Sequence, residues 1–199
     1  MIKNIILDFG DIFINLDKEI VFREIQKRGN NITPELIAIS TSYEVGEITS
    51  EEFLKGLQLT FTKAKQKELI GIWNGMLLDF PDYRLEFLEQ LAKEKKYRLF
   101  LLSNTNALHI SEVIHRMGTN KYERFKQSFE QFYLSHEIHL RKPNTDIYEF
   151  VIEQNKLLPV ETLFIDDTKE NTDAANTLGI NTWNLIVGKE DIVDLKSKL

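Results

Sequence analysis

Residues 4–17 read NIILDFGDIFINLD. An apolar run, Ile5-Ile6-Leu7, leads straight into Asp8, with Gly10 and Asp11 close behind. A short apolar run bounded by glycine and aspartate has the pattern of a buried β-strand that ends by exposing a carboxylate. The spacing predicts strand one over "NIILDF". Further β-type runs follow at 97–104 (YRLFLLSN), 129–135 (FEQFYLS), 161–167 (ETLFIDD) and 180–187 (INTWNLIV). Most are nearly continuous apolar runs, the mark of parallel strands covered on both faces. Helix-length segments lie between them. One is 107–118, where Ile110, Val113, Ile114 and Met117 recur at helical spacing; others are 144–155, after Pro143, and 170–179, closing on Gly179. Strand–helix alternation of this kind predicts an α/β fold, an open parallel sheet flanked by helices with right-handed crossovers.

From about residue 17 to 80 the rhythm breaks. Ile20, Val21 and Ile25 make one helical face that stops at Gly29. Thr33 and Pro34 begin a second helix as N-cap and first helical residue. Thr49 and Glu52 have capping-box spacing for a third, and 62–76 supplies a fourth. A helical insertion directly after strand one has the look of a small cap. The expected division is therefore a core of 1–16 and 81–199 with a helical cap over 17–80.

The chain of 199 residues is 42% hydrophobic and 28% charged, enough apolar mass for a sizeable core. A net charge of -6 disfavours nucleic acid and anionic membranes as partners. Without cysteine there is neither a disulfide framework nor thiolate chemistry. Asp8 interrupts the N-terminal apolar run too early for a signal-peptide core, and no stretch approaches a membrane span. The expectation is a cytoplasmic protein, monomeric by default.

In open α/β sheets ligands bind beyond the carboxyl ends of the strands. Those ends deliver Asp8, Gly10 and Asp11; Ser103, Asn104, Thr105 and Asn106; Arg141, Lys142 and Pro143; and Asp166, Asp167 and Thr168. Three clustered acids repel one another, and a hard cation such as Mg²⁺ removes that conflict with oxygen ligands. Small donors and a lysine suit a phosphoryl group. With its charge neutralised by metal and Lys142, a carboxylate oxygen of Asp8 could attack phosphorus in line, and water would hydrolyse the aspartyl-phosphate. Ser103 or Asn104 would hydrogen-bond the transferring group.

These segments resemble the four motifs of the haloacid dehalogenase-like hydrolase superfamily, in order. "LDFGDI" is similar to motif one with Asp8 as nucleophile, and "LLSNTN" to motif two with Ser103. "RKP" matches motif three with Lys142, and "FIDDTKEN" motif four with Asp166 and Asp167. "YEVGEITSEEF", "IWNGML" and "LFLLSNTNALHI" resemble the branch that includes glucose-1-phosphate phosphatases. The resemblance covers essentially the whole chain. It implies a Rossmann-like sheet with an inserted cap and a Mg²⁺-dependent phosphatase of small phosphorylated metabolites. By analogy Asp8, the Gly10 carbonyl and Asp167 bind the metal, with Asp166 assisting through water. Two departures stand out. Gly10 occupies the place where most relatives carry an acid/base aspartate, which leaves Asp11 as substitute even though an extended chain would aim it to the other side. His139 stands where glycine is expected and could narrow the approach to Lys142.

Simpler roles compete. Ser103, Asn104 and Thr105 form a natural N-cap cluster for the helix at 107, Asp166 or Asp167 could cap the helix after it, and Lys142 alone would be a surface lysine. His109, His115 and His136 have no metal spacing. Glu44, Trp73 and Asn74 could line a pocket, although Trp73 on an apolar face suits a core. Two other functions fit the same residues: a non-catalytic phosphate binder that lost turnover with its general acid, and a 2-haloacid dehalogenase, which needs no cation.

Overall fold

The computed structural model describes residues 1–199. Five strands, β1 (Asn4–Leu7), β2 (Arg98–Ser103), β3 (Gln131–Leu134), β4 (Thr162–Asp166) and β5 (Asn181–Asn184), form one parallel sheet in the order β3-β2-β1-β4-β5. This is the expected α/β arrangement, with β1 at its centre. Leu7 pairs with both Leu101 and Ile165, so the residues just beyond it on three strands emerge at one edge.

Ten helices complete the chain: α1 (Ile20–Lys27), α2 (Pro34–Glu44), α3 (Ser50–Thr60), α4 (Gln66–Asn74), α5 (Asp82–Glu94), α6 (Ala107–Met117), α7 (Thr119–Gln127), α8 (Ser135–Ile138), α9 (Thr145–Asn155) and α10 (Lys169–Thr177). Alternation along the strands divides the core in two. Ile5, Leu7, Leu99, Leu101, Leu163 and Ile165 pack on one face with Leu85, Leu88 and Leu91 of α5 and Phe125 of α7. Ile6, Phe100, Leu102 and Phe164 pack on the other with Ile147, Tyr148 and Val151 of α9. Each such buried side chain contributes about 1.5–3 kcal/mol.

Helices α1–α4 bury an apolar cluster of their own, built from Ile25, Leu36, Tyr43, Phe53, Leu57, Leu69 and Ile72. Thr33 accepts from the Leu36 N–H at 3.2 Å, and Thr49 and Glu52 form the capping box that their spacing predicts. The two crossings between this insertion and the sheet run side by side. Asn15 and Asp17 donate to the carbonyls of Asp79 and Met76, and Leu78 donates back to Asn15, at 2.8–2.9 Å. Arg84 of α5 braces the crossing by donating to the Asn15 side chain at 2.9 Å and to Asp191 at 2.8 Å.

Some boundaries differ from the sequence expectation. The apolar run at 180–187 outlasts its strand: the backbone leaves the sheet after Asn184, and Ile186 and Val187 are exposed. The segment at 129–135 pairs only from Gln131 to Leu134, because Ser135 opens α8. Helix α7 carries little signal, since only Tyr122 and Phe125 of its nine residues are buried. No helix is long and apolar enough to cross a membrane.

Candidate functional site

The central strand delivers Asp8, whose N–H donates to the Ile165 carbonyl at 2.9 Å and so continues the ladder one residue past the strand. Strand β4 ends on Asp166. Between these two acids lies the Lys142 ammonium, 2.7 Å from Asp8 Oδ1 and 2.6 Å from Asp166 Oδ2, with its third proton on the Leu102 carbonyl at 2.9 Å. Lys142 is 1% exposed, so it is no surface lysine. All three of its donors are used, the condition under which a buried ammonium is tolerated. Burial opposes its charge, but the Asp166 and Asp8 carboxylates outweigh that and raise its pKa.

Asp166 is further held by the Thr168 N–H at 2.8 Å and the Asn171 amide at 3.0 Å. Asp167 takes a different partner, Lys18 at 2.5 Å, and Lys18 reaches Asp11 Oδ2 at 3.0 Å. One oxygen each from Asp8, Asp166 and Asp167 lie within 4.8 Å of one another. Together with Asp11 they make four carboxylates against two ammonium groups, leaving two negative charges, which is the charge of one divalent cation. Burial pushes the Asp8 carboxyl up to about 7 against the pull of Lys142, with Asp166 repelling it further. Burial likewise raises Asp167, opposed by Lys18. Crowded oxygen donors with excess negative charge fit a hard cation such as Mg²⁺. Asp8, Asp166 and Asp167 are the side chains that would hold it.

Several expectations are revised in detail. Asp11 does not sit on extended chain: its φ is +54°, and that turn brings it to Lys18 and towards Asp167. Its Oδ1 accepts from the Leu16 N–H at 3.0 Å, so both oxygens act as acceptors. The Gly10 carbonyl, expected at the metal, accepts from the Ile12 N–H at 2.7 Å. A Cβ at Gly10 would lie 2.7 Å from Leu16 Cδ1, so an apolar methyl fills the space where a side chain there would start. Asn104, expected on phosphate, uses both ends of its amide on the Lys142 backbone, at 2.9 and 3.0 Å, and so holds the lysine loop against β2. Ser103 is 2% exposed, and its hydroxyl has no protein partner.

The helix after motif two is capped by Asn106, not by Ser103, Asn104 or Thr105: Asn106 Oδ1 accepts from the His109 N–H at 3.1 Å. The same oxygen accepts from the Trp73 indole at 3.3 Å, and Asn106 Nδ2 donates to His109 Nδ1 at 3.1 Å. That leaves His109 Nε2–H for the Trp73 carbonyl at 3.3 Å, with the two rings stacked 5.2 Å apart. His109 and Trp73 thus tie α4 to α6. Asn74 is buried with its Oδ1 unpartnered, and His115 is exposed.

On the opposite flank, the end of α2 is seated on the core. Ser135 Oγ accepts from the Thr105 N–H at 2.9 Å and donates to the Glu44 carbonyl at 2.6 Å. His139, in the left-handed region at φ +58°, donates from Nδ1 to the Val45 carbonyl at 2.8 Å. Its ring is therefore tied to the turn that follows α2. Arg141 Nε meets Glu44 Oε1 at 3.1 Å, and burial raises the Glu44 carboxyl despite that guanidinium. Sequence reasoning placed Arg141 at this edge but missed Lys18 and Ser135 as contributors. Nothing local marks Lys18, which becomes meaningful only when the first turn after strand one folds back onto β4.

A family model described as haloacid dehalogenase-like hydrolase matches residues 5–185. A D-ribitol-5-phosphate phosphatase of Bacteroides thetaiotaomicron is 28% identical over 195 residues, covering 92% of this chain and 91% of that protein. Among solved structures, a HAD family enzyme from Bacteroides thetaiotaomicron in complex with magnesium and inorganic phosphate has a TM-score of 0.81 at 36% identity, covering 96% of this chain and 97% of that one. A predicted HAD-like family hydrolase from Porphyromonas gingivalis has a TM-score of 0.80 at 27% identity, over 100% and 98% of the two chains.

Proposed function

The chain belongs to the haloacid dehalogenase-like hydrolase family, and on that premise we propose that it is a Mg²⁺-dependent phosphatase of a small phosphorylated polyol or sugar. The observation that carries this reading is the buried Asp8–Lys142–Asp166 bridge beside Asp167, with acid oxygens within 4.8 Å. The solved relative holding magnesium and phosphate supports the cofactor, and the D-ribitol-5-phosphate phosphatase supports the substrate class.

Asp8 is the nucleophile. One of its carboxylate oxygens, oriented by Lys142, forms a bond to phosphorus while the bond from phosphorus to the alcohol oxygen breaks. The alcohol leaves with a proton from solvent water, because Gly10 offers no acid and both Asp11 oxygens are acceptors. Ser103, whose hydroxyl is free, donates to the phosphoryl oxygens alongside Lys142. Water then attacks phosphorus, Asp11 takes its proton once Lys18 yields, and the bond to Asp8 breaks. Asp8, Asp166 and Asp167 would hold Mg²⁺, whose charge would offset that of the phosphoryl oxygens and relieve the repulsion among the acids. Asn104 acts by holding Lys142 in place. The helical insertion over 17–80 serves as a cap above the crevice. Carbon–halogen hydrolysis gains nothing from this geometry, since three acids gathered around a cation site are superfluous to it.

The test is release of inorganic phosphate from a panel of polyol, sugar and aryl phosphates with and without Mg²⁺. Turnover that requires the metal and vanishes in Asp8→Asn is expected. Turnover surviving chelation, or surviving that substitution, refutes the mechanism; Mg²⁺-dependent phosphate binding without turnover of any substrate makes the protein a binder.

A further inference from the structure

The proposed chemistry uses Asp8, Ser103, Lys142 and the acids of β4, and leaves unexplained the ion pair one residue away from Lys142. Arg141 lies on the loop that carries the buried lysine, while Glu44 ends α2 in the helical insertion. Only one contact joins them, Arg141 Nε to Glu44 Oε1 at 3.1 Å. The two terminal guanidinium nitrogens and Glu44 Oε2 make no hydrogen bond to protein, and none is sealed in the interior. The pair therefore presents two unused donors and one unused acceptor at the seam between insertion and sheet edge. Both side chains are about a third exposed or less, at 31% and 26%.

What separates this pair from an ordinary surface bridge is how firmly its backbone is held. The Glu44 carbonyl is fixed by Ser135, which is itself fixed by the Thr105 N–H two residues after Ser103. The next carbonyl, Val45, is held by His139. The residue after it, Gly46, has φ +71° and packs so closely that a Cβ would overlap the His136 carbonyl. On the other side, the backbone of Lys142, and with it the position of Arg141, is clamped by Asn104. A single exposed ion pair gains little and does not need such support. Groups that must meet a ligand in a set geometry do need it.

We infer that Glu44 and Arg141 form the subsite that reads the hydroxyl groups of the substrate's leaving alcohol. A hydroxyl both donates and accepts, so a carboxylate oxygen beside guanidinium N–H groups suits neighbouring hydroxyls on a carbon chain. The carboxylate accepts a hydrogen bond from one hydroxyl, and the guanidinium donates to the oxygen of the next. The subsite rests on the phosphatase reading and deepens it: Glu44 and Arg141 are the groups that recognise the further hydroxyls of the polyol or sugar. A site that hydrogen-bonds substrate hydroxyls discriminates strongly against the analogue lacking them, because its own polar groups are then left unpaired.

The experiment compares kcat/KM for D-ribitol 5-phosphate, pentyl phosphate and 4-nitrophenyl phosphate in the wild-type protein, in Glu44→Gln and in Arg141→Met, with circular dichroism as the check on folding. The wild-type protein is expected to prefer the polyol ester over the pentyl ester by about 30-fold or more, and each variant to shrink that preference at least about tenfold, mostly through KM. Glu44→Asp, which keeps the charge, should recover part of the preference. A wild-type protein that cleaves the aryl ester but treats polyol and pentyl esters alike overturns the subsite and leaves the phosphatase reading standing. So do variants that lose activity on all three esters in parallel, which marks a structural role. Failure to cleave even the aryl ester removes the phosphatase reading and the subsite with it.

Discussion

Lys142 has three protons and three acceptors, two of them carboxylates from different strands. Removing the ammonium while the acids stay would leave Asp8 and Asp166 facing each other without compensation. Lys142→Met is therefore expected to destabilise the fold by about 3–5 kcal/mol in urea unfolding without metal. Mg²⁺ should restore part of that loss, because it replaces the missing charge; an unchanged midpoint would refute the role of the bridge. Asp11 tests the chemistry at the same scale. With both oxygens accepting, it fits the base half of the reaction and not the acid half. Asp11→Asn should slow steady-state turnover by about 10²-fold while leaving the first burst of 4-nitrophenol from 4-nitrophenyl phosphate. Loss of the burst as well would assign Asp11 to the acid step. Asp8, Asp166 and Asp167 were legible in the sequence because each stands at a strand end, whereas Lys142, separated from β3 by α8, was legible through the RKP segment that carries it. Lys18 was not, since its partners lie 7 and 149 residues away.

At the scale of elements, two of the ties between the helical insertion and the core make separate predictions. One is the stacked Trp73–His109 pair between α4 and α6. Burial lowers the His109 pKa to about 4, with the Trp73 carbonyl opposing. Its folded value lies below the unfolded one, so the fold binds fewer protons. The stabilisation is complete above about pH 6.5 and is lost as pH falls towards 4, amounting to roughly 2–3 kcal/mol. Asp8, raised to about 7, shifts stability the other way over the same range, so the His109 contribution should be read in urea titrations at pH 7 and pH 4.5 as the difference between the wild-type protein and His109→Gln. The other tie is the turn after α2. Gly46→Ala must hold φ +71° and displace the His136 carbonyl, so it should cost more than about 1–2 kcal/mol in unfolding free energy. A neutral substitution would mean that α2 is not seated as described. The caps of α2 and α3 were legible from Thr33-Pro34 and Thr49–Glu52, as these are local hydrogen bonds. Helix α7 was obscure because only two of its residues are buried, too few to print a periodic face.

For the whole molecule, the surplus of two negative charges at the sheet edge couples metal binding to folding. Mg²⁺ at about 100 times its Kd should stabilise the protein by about 2.7 kcal/mol, read as a rise in Tm, and Asp167→Asn should flatten that response. A Tm indifferent to Mg²⁺ in the wild-type protein would remove the metal from the site. The sequence alone determined the parallel α/β core, the helical insertion and the acids and lysine of the site. Strand hydrophobicity and helix caps are local signals, and residues at strand ends share an edge in any sheet of this kind. Only the tertiary structure decided how those charges pair, that the Asn104 amide clamps the Lys142 backbone, and that Glu44 meets Arg141 across the seam. These contacts join residues 38 and 97 positions apart. Such distances leave no periodic trace in a chain, because the partners are chosen by the packing of whole elements and not by their neighbours in sequence.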